Sequence, residues 1–219
     1  MGYDGLLLDH DGVIVTLGER DALTRAAEAA LADAGVAPTA DLVQTLHFSV
    51  DSEELLAIAD RLDRDPATLW RHRDDRVAEA LTAEARAGRK APYEDATVLR
   101  SVGCPVGVVS NNQTRVVEFV LDHFDLRAAI ETVHAREPTM ASLERKKPSP
   151  TFLEEAMTAL DVANPLYVGD SASDVVAGHR AGLDVAFIRR PHRDGHQLGV
   201  EPTYEVADLH AVRDILGDV

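Results

Sequence analysis

The feature that most constrains this chain is an alternation of two textures. Short apolar runs, several closing on a cluster of Gly, Asp, Ser or Asn, alternate with longer segments of helical spacing. Gly5–Asp9 runs into His10-Asp11-Gly12, and Pro105–Val109 into Ser110-Asn111-Asn112. Pro165–Val168 runs into Gly169-Asp170-Ser171, and Leu183–Ile188 is a further apolar run. Continuous apolar runs predict strands covered on both faces. Helices are expected at Gln113–Phe124, Pro150–Leu160, Ser173–Ala181 and Leu209–Leu216, with further strands at Ala128–His134 and Tyr204–Ala207. The pattern predicts an α/β fold, a Rossmann-like doubly wound parallel sheet with helices on both faces.

One stretch breaks the alternation. Arg20–Ala34, Thr39–Phe48, Asp51–Leu62 and a segment from Asp65-Pro66 to Ala87 all read as helices with no strand between them. Gly35 and Gly88 fit C-terminal stops, Asp51-Ser52 are cap candidates, and Pro66 suits a first helical position. The expected organisation is an α/β core of residues 1–15 and 92–219, with residues 16–91 inserted as an all-helical subdomain.

Charge narrows the class of partner. Of 219 residues, 22 are Lys or Arg and 38 are Asp or Glu, a formal net charge of −16. This disfavours nucleic acid as a partner, which needs cations against phosphates, and equally an anionic membrane surface. A lone cysteine, Cys104, excludes an internal disulfide and a multi-thiolate zinc site. The first apolar run has no basic segment before it and no run reaches membrane-span length, so a cytoplasmic protein is expected. Lysine occurs only at Lys90, Lys146 and Lys147. Such acidity is tolerable where salt screens it, and a salt-adapted protein or an ordinary acidic, arginine-rich one both fit.

Ligands of open parallel sheets sit beyond the carboxyl ends of the strands, so residues just past each strand carry the most information. Asp9 and Asp11 are spaced i, i+2 and can face one point, while Gly12 permits a tight turn; turn-forming Asp is the alternative. Ser110 offers a hydroxyl and the following turn offers N–H groups for an anion, unless Ser110 or Asn112 caps the next helix. Lys147, in Lys146-Lys147-Pro148-Ser149-Pro150, is a compact point charge in a Pro-stiffened loop, suited to phosphate or to solvent. Asp170 lies at a strand tip and Asp174 one helical turn on; a capping box through Ser171 or Ser173 is compatible with that.

Together, Asp9-x-Asp11-Gly12, Ser110-Asn111, Lys147-Pro148 and Gly169-Asp170-Ser171-x-x-Asp174 occur in an order that resembles the haloacid dehalogenase-like hydrolase superfamily. The chain looks most like its phosphoglycolate phosphatase-like members, whose helical cap is inserted after the first motif. The resemblance implies a Mg²⁺-dependent phosphatase acting on a small phosphorylated metabolite through an aspartyl-phosphate. Asp9 would be the nucleophile and Asp11 the general acid and base. Mg²⁺ would be held by the Asp9 side chain, the Asp11 backbone carbonyl and Asp170, with Asp174 completing or supporting the site. Ser110 and Lys147 would hold phosphoryl oxygens, assisted by the Asn111 backbone N–H. Electrostatics agrees: a like-charge pair about 4 Å apart costs about 4 kcal/mol at an effective dielectric of ~20, more than Lys147 alone offsets for several such pairs. A hard divalent cation suits all-oxygen donors.

The same resemblance separates branches. Dehalogenases lack the second Asp of the first motif, which Asp11 supplies here. Phosphonoacetaldehyde hydrolases need a Schiff-base lysine in the cap, where only Lys90, at the far edge, is found. A phosphomutase shares every motif and stays an alternative, as does a catalytically quiet binding or regulatory protein. Elsewhere, His192 and His196 are spaced i, i+4, but the turn-like surroundings argue against a metal pair. Arg71, Arg73 and Arg76 read as a solvated helix face or as anion-recognising residues, and Trp70 as buried core.

Overall fold

The computed structural model describes residues 2–47 and 50–217. The chain divides into two compact units. One holds the residues up to Leu17, Ala91–Ala135 and the chain from Arg145 onward; the other holds Gly18–Lys90 and Arg136–Glu144.

The first unit is built on a six-stranded sheet. Its strands are β1 (Gly5–Leu8), β2 (Val106–Gln113), β3 (Thr132–Arg136), β4 (Pro165–Gly169), β5 (Val185–Ile188) and β6 (Tyr204–Val206), in the order β3-β2-β1-β4-β5-β6. β1 pairs in parallel with β2 on one side and β4 on the other, with Leu8 level with both Val108 and Val168. All four residues of β1 are buried, which explains its uninterrupted apolar reading. Strand order reverses at β1, so the crevice beyond its carboxyl end is the switch point where such folds bind ligands. Leu7, Val109, Phe152, Leu153, Tyr167, Val175 and Phe187 form one core cluster of this unit.

Two expectations shift. β2 continues through Ser110, Asn111 and Asn112 to Gln113, and the following helix starts only at Thr114 with Gln113 at its cap position. Ser110 and Asn112 therefore do not cap it. The strand expected at Ala128–His134 lies at Thr132–Arg136, after a 3-10 turn at Arg127–Ala129. Glu94–Ser101 forms a 3-10 segment that no local pattern announced. Tertiary bonds hold it, since Asp95 accepts from Arg190 and from the Leu209 N–H at 2.7 Å.

The second unit carries helices α1 (Arg20–Asp33), α2 (Ala40–His47), α3 (Ser52–Leu62) and α4 (Pro66–Arg86). The Phe48 end of the second expected helix lies outside the described residues. Asp51 caps α3 in a reciprocal box with Glu54, and Asp65 caps α4 with Pro66 at the first turn, as their spacing predicts. Leu31, Leu46, Leu55, Leu69, Trp70 and Leu143 pack together as its core. Against Trp70 lies a charge cluster: Asp74, fully buried, takes both guanidinium nitrogens of Arg136 at 2.6 and 2.8 Å and one of Arg73 at 3.0 Å. Both guanidiniums stack on the indole, 4.8 and 5.0 Å from its centroid. Among the described residues, no helix is long and apolar enough to cross a membrane.

Candidate active site

The carboxyl ends of β1, β2 and β4 bring three acids and one lysine together. Asp9 follows β1 directly, and its backbone N–H donates to the Val168 carbonyl at 2.8 Å, fixing it beside β4. Asp170 follows β4, and Asp174 sits in the first turn of the next helix, α5 in chain order being Thr114–His123, α6 Thr151–Leu160 and this helix α7 (Ala172–Arg180). One carboxylate oxygen from each of Asp9, Asp170 and Asp174 lies within 4.8 Å of the others, and all three residues are buried. Close approach requires small neighbours. A Cβ at Gly12, whose φ is +82°, would lie 2.4 Å from Asp170 Oδ2, and one at Gly169 would lie 2.2 Å from the Asp174 Cβ.

Lys147 stands between two of the acids. Its Nζ lies 2.9 Å from Asp9 Oδ1 and 2.6 Å from Asp174 Oδ1, and it also donates to the Val109 carbonyl and to the Tyr167 hydroxyl. Burial alone would favour the neutral amine, but Asp174 and Asp9 outweigh it and hold the ammonium above its ordinary range. The two acids divide unequally around that one cation. Burial pushes the Asp9 carboxyl up to about 8; Lys147 draws it down, while Asp174 and Asp170 push it further up. Burial acts on Asp174 as well, yet Lys147, Ser171 and Tyr167 together hold its carboxyl below the usual range.

Hydrogen bonds show which oxygens are committed. Asp174 Oδ1 takes Lys147 and the Tyr167 hydroxyl, and Oδ2 takes the Ser171 N–H at 3.0 Å and the Ser171 hydroxyl. Ser171 caps α7 in a reciprocal box with Asp174, so capping and site construction share one residue pair. Asp9 Oδ1 takes Lys147 and the His10 N–H at 2.7 Å. Asp170 Oδ2 takes His192 Nε2 at 2.6 Å and Arg193 Nε at 3.0 Å. That leaves Asp9 Oδ2 and Asp170 Oδ1 as the two oxygens that accept nothing from the described residues. These two fit a hard cation with open ligand positions, and Asp174 fits a supporting role.

The remaining expected residues are placed as follows. Asp11 lies outside the three-carboxylate cluster; its Oδ2 accepts from Asn112 Nδ2 at 2.7 Å and its Oδ1 lies 3.2 Å from His10 Nδ1. Ser110, buried on β2, accepts the Asn112 N–H at 3.1 Å. The Asn111 side chain is engaged with the Lys147 backbone through two hydrogen bonds. His192 reaches the site while the described metal-capable cluster includes neither His192 nor His196. Tyr93, Arg190, His192 and Arg193 are neighbours that no strand-end motif announces. Arg190 pairs with Asp95 at 2.8 and 2.9 Å, donates to the Val13 carbonyl at 2.7 Å and stacks 3.9 Å over Tyr93.

A parallel α/β sheet with buried acids and a lysine at its central strand ends defines a class of hydrolase core. The chain belongs to the haloacid dehalogenase-like hydrolase family, whose profile matches residues 6–188. It is 28% identical over 138 residues to (S)-2-haloacid dehalogenase H-109 of Pseudomonas putida, 58% of each chain. It is 29% identical over 112 residues to pyrimidine 5′-nucleotidase YjjG of Escherichia coli, covering 51% of this chain and 49% of that one. With a phosphoglycolate phosphatase of Neisseria meningitidis it shares 34% identity over 87 residues, 39% of this chain and 35% of that one. The matches thus span about half the length of these relatives or less. Among solved structures, CbbY from Rhodobacter sphaeroides in complex with phosphate superposes with a TM-score of 0.68 at 18% identity, covering 94% of both chains. A haloacid dehalogenase-superfamily hydrolase of subfamily IA from Geobacter sulfurreducens does so at 0.61 and 19%, covering 99% of this chain and 98% of that one. These likenesses extend the fold over nearly the whole chain.

Proposed function

We propose that the protein is a Mg²⁺-dependent phosphatase that hydrolyses a small phosphomonoester through an aspartyl-phosphate on Asp9. The observation that carries this reading is the pair of uncommitted oxygens, Asp9 Oδ2 and Asp170 Oδ1, beside a lysine that neutralises the other side of the cluster. In this reading Mg²⁺ is held by Asp9, the Asp11 carbonyl and Asp170, with Asp174 in support; when bound, it supplies charge neutralisation between nucleophile and phosphoryl group.

Each of the chain's own residues then has a task. One Asp9 carboxylate oxygen attacks phosphorus, forming the O–P bond of the aspartyl-phosphate as the P–O ester bond breaks, and the other is left for the cation. Asp11 gives its proton to the leaving alkoxide, then takes one from the water that cleaves the acyl phosphate. Asn112 orients Asp11 for both transfers. Lys147 and Ser110 stabilise the charge that spreads over the transferring oxygens, with the Asn111 N–H assisting. The substrate is a small phosphorylated metabolite, and the work is done in the cytoplasm. Dehalogenation is disfavoured because Asp11 is present and fixed by Asn112.

Release of phosphate from p-nitrophenyl phosphate tests the proposal. Turnover is expected with Mg²⁺, is lost in EDTA and returns on adding Mg²⁺. Chloride release from 2-chloropropionate without phosphatase turnover would overturn it. No turnover of phosphoesters, with tight binding of a phosphorylated ligand, would favour the quiet binding protein.

A further inference from the structure

The loop after β5 does more than close the fold. Arg190 anchors its base, buried against Asp95, the Val13 carbonyl and the Tyr93 ring. Two residues on, in the 3-10 turn Pro191–Arg193, the His192 ring lies between two partners. Tyr93 Oη stands 3.3 Å from its Nδ1 and Asp170 Oδ2 stands 2.6 Å from its Nε2. The chemistry of the partners assigns the proton. A carboxylate only accepts, so Nε2 carries the hydrogen; Nδ1 then accepts from the Tyr93 hydroxyl. Burial raises the Tyr93 phenol, which keeps it a donor.

We propose that His192, set by Tyr93, is a positioning residue that holds Asp170 Oδ2 and thereby turns Oδ1 toward the divalent cation. This rests on the phosphatase reading above, since it assumes that Asp170 is a ligand. Carboxylates and imidazoles around metals depend on such outer partners, whose loss costs about tenfold or more in affinity. Gly12 completes the arrangement, because a Cβ there would lie 3.0 Å from His192 Nε2 and closer still to Asp170. Arg193 shares the same carboxylate oxygen at 3.0 Å and contributes charge. Variants at His192 leave that charge unchanged, so they isolate the orienting bond.

The test is Mn²⁺ binding to the metal-stripped full chain, read by electron paramagnetic resonance and titration calorimetry. His192→Ala is expected to weaken binding about tenfold. His192→Gln, which keeps an amide N–H near the position of Nε2, should recover most of it. Tyr93→Phe removes only the hydroxyl and should weaken binding about threefold, one modest hydrogen bond; it also serves if His192→Ala folds poorly. Affinities within twofold of the parent in His192→Ala and Tyr93→Phe, or tighter binding, would overturn the proposal while the phosphatase reading stands. A parent chain that binds no Mn²⁺ would overturn both.

Discussion

Asn111 and Lys147 are joined by two reciprocal hydrogen bonds: Asn111 Nδ2 donates to the Lys147 carbonyl at 3.0 Å, and the Lys147 N–H donates to Asn111 Oδ1 at 2.7 Å. The last residues of β2 thus clamp the backbone that carries the buried ammonium. A residue expected to act through its own N–H also fixes the height of Lys147 between Asp9 and Asp174.

Asn111→Ala removes both bonds, at about 1–3 kcal/mol. The thermal midpoint should fall by several degrees. Phosphatase kcat should fall about tenfold, because Lys147 loses its fixed height. Steady-state kinetics check this; an unchanged kcat would mean that Lys147 is held by its carboxylate partners alone.

The raised carboxyl of Asp9 makes stability depend on pH. Its folded value of about 8 lies above the ordinary aspartate value of 3.8, so from about pH 4 to 8 the unfolded chain has released a proton that the folded chain keeps. This group's contribution is fully present below about pH 4 and is lost as pH rises to about 8. A cation ligated by Asp9 needs the ionised form, so its binding releases a proton and tightens over the same window. The rise in thermal midpoint on adding Mg²⁺ should be larger at pH 8 than at pH 6. In Asp9→Asn that pH dependence should flatten. Thermal scans at both pH values, with and without Mg²⁺, read the difference.

Gly12→Ala strains the backbone twice, through a φ of +82° and through a Cβ 2.4 Å from Asp170 Oδ2. Metal affinity should fall more than in variants of His192, because Asp170 itself must move. Calorimetric titration of Mn²⁺ checks the order.

In the helical unit, Asp74→Ala removes the buried carboxylate that the Arg136 and Arg73 guanidiniums share. Breaking a buried pair in this way costs about 3–5 kcal/mol. For a chain of this size, a drop of roughly 10 °C in thermal midpoint follows.

The parts of the site that the sequence announces are those placed by strand ends. Asp9, Ser110 and Asp170 follow apolar runs, and the parallel register brings these ends to one edge of the sheet. The caps of α3 and α4 were legible for a similar reason, since each depends on residues within one turn. Tyr93, His192 and Arg190 were not legible, because their partners lie far along the chain: Tyr93 meets His192 across 99 residues and Arg190 meets Asp95 across 95. The turn-like surroundings of His192 and His196 argue against a metal pair; the 3-10 turn Pro191–Arg193 carries His192 to Asp170, a contact that spacing does not show, and His196 is exposed. Arg73 likewise left the expected solvated face. A buried carboxylate and the Trp70 ring hold it, whereas Arg76 pairs with Asp33 and Glu79 as a surface arginine does.

The central claim, that Asp9 accepts the phosphoryl group, is tested most directly by acid-quenching the enzyme during turnover and mapping phosphate by mass spectrometry. Phosphate on the peptide carrying Asp9, together with an Asp9→Asn variant slowed by about 10⁴-fold or more, is the expected result. Turnover in Asp9→Asn within tenfold of the parent would contradict it.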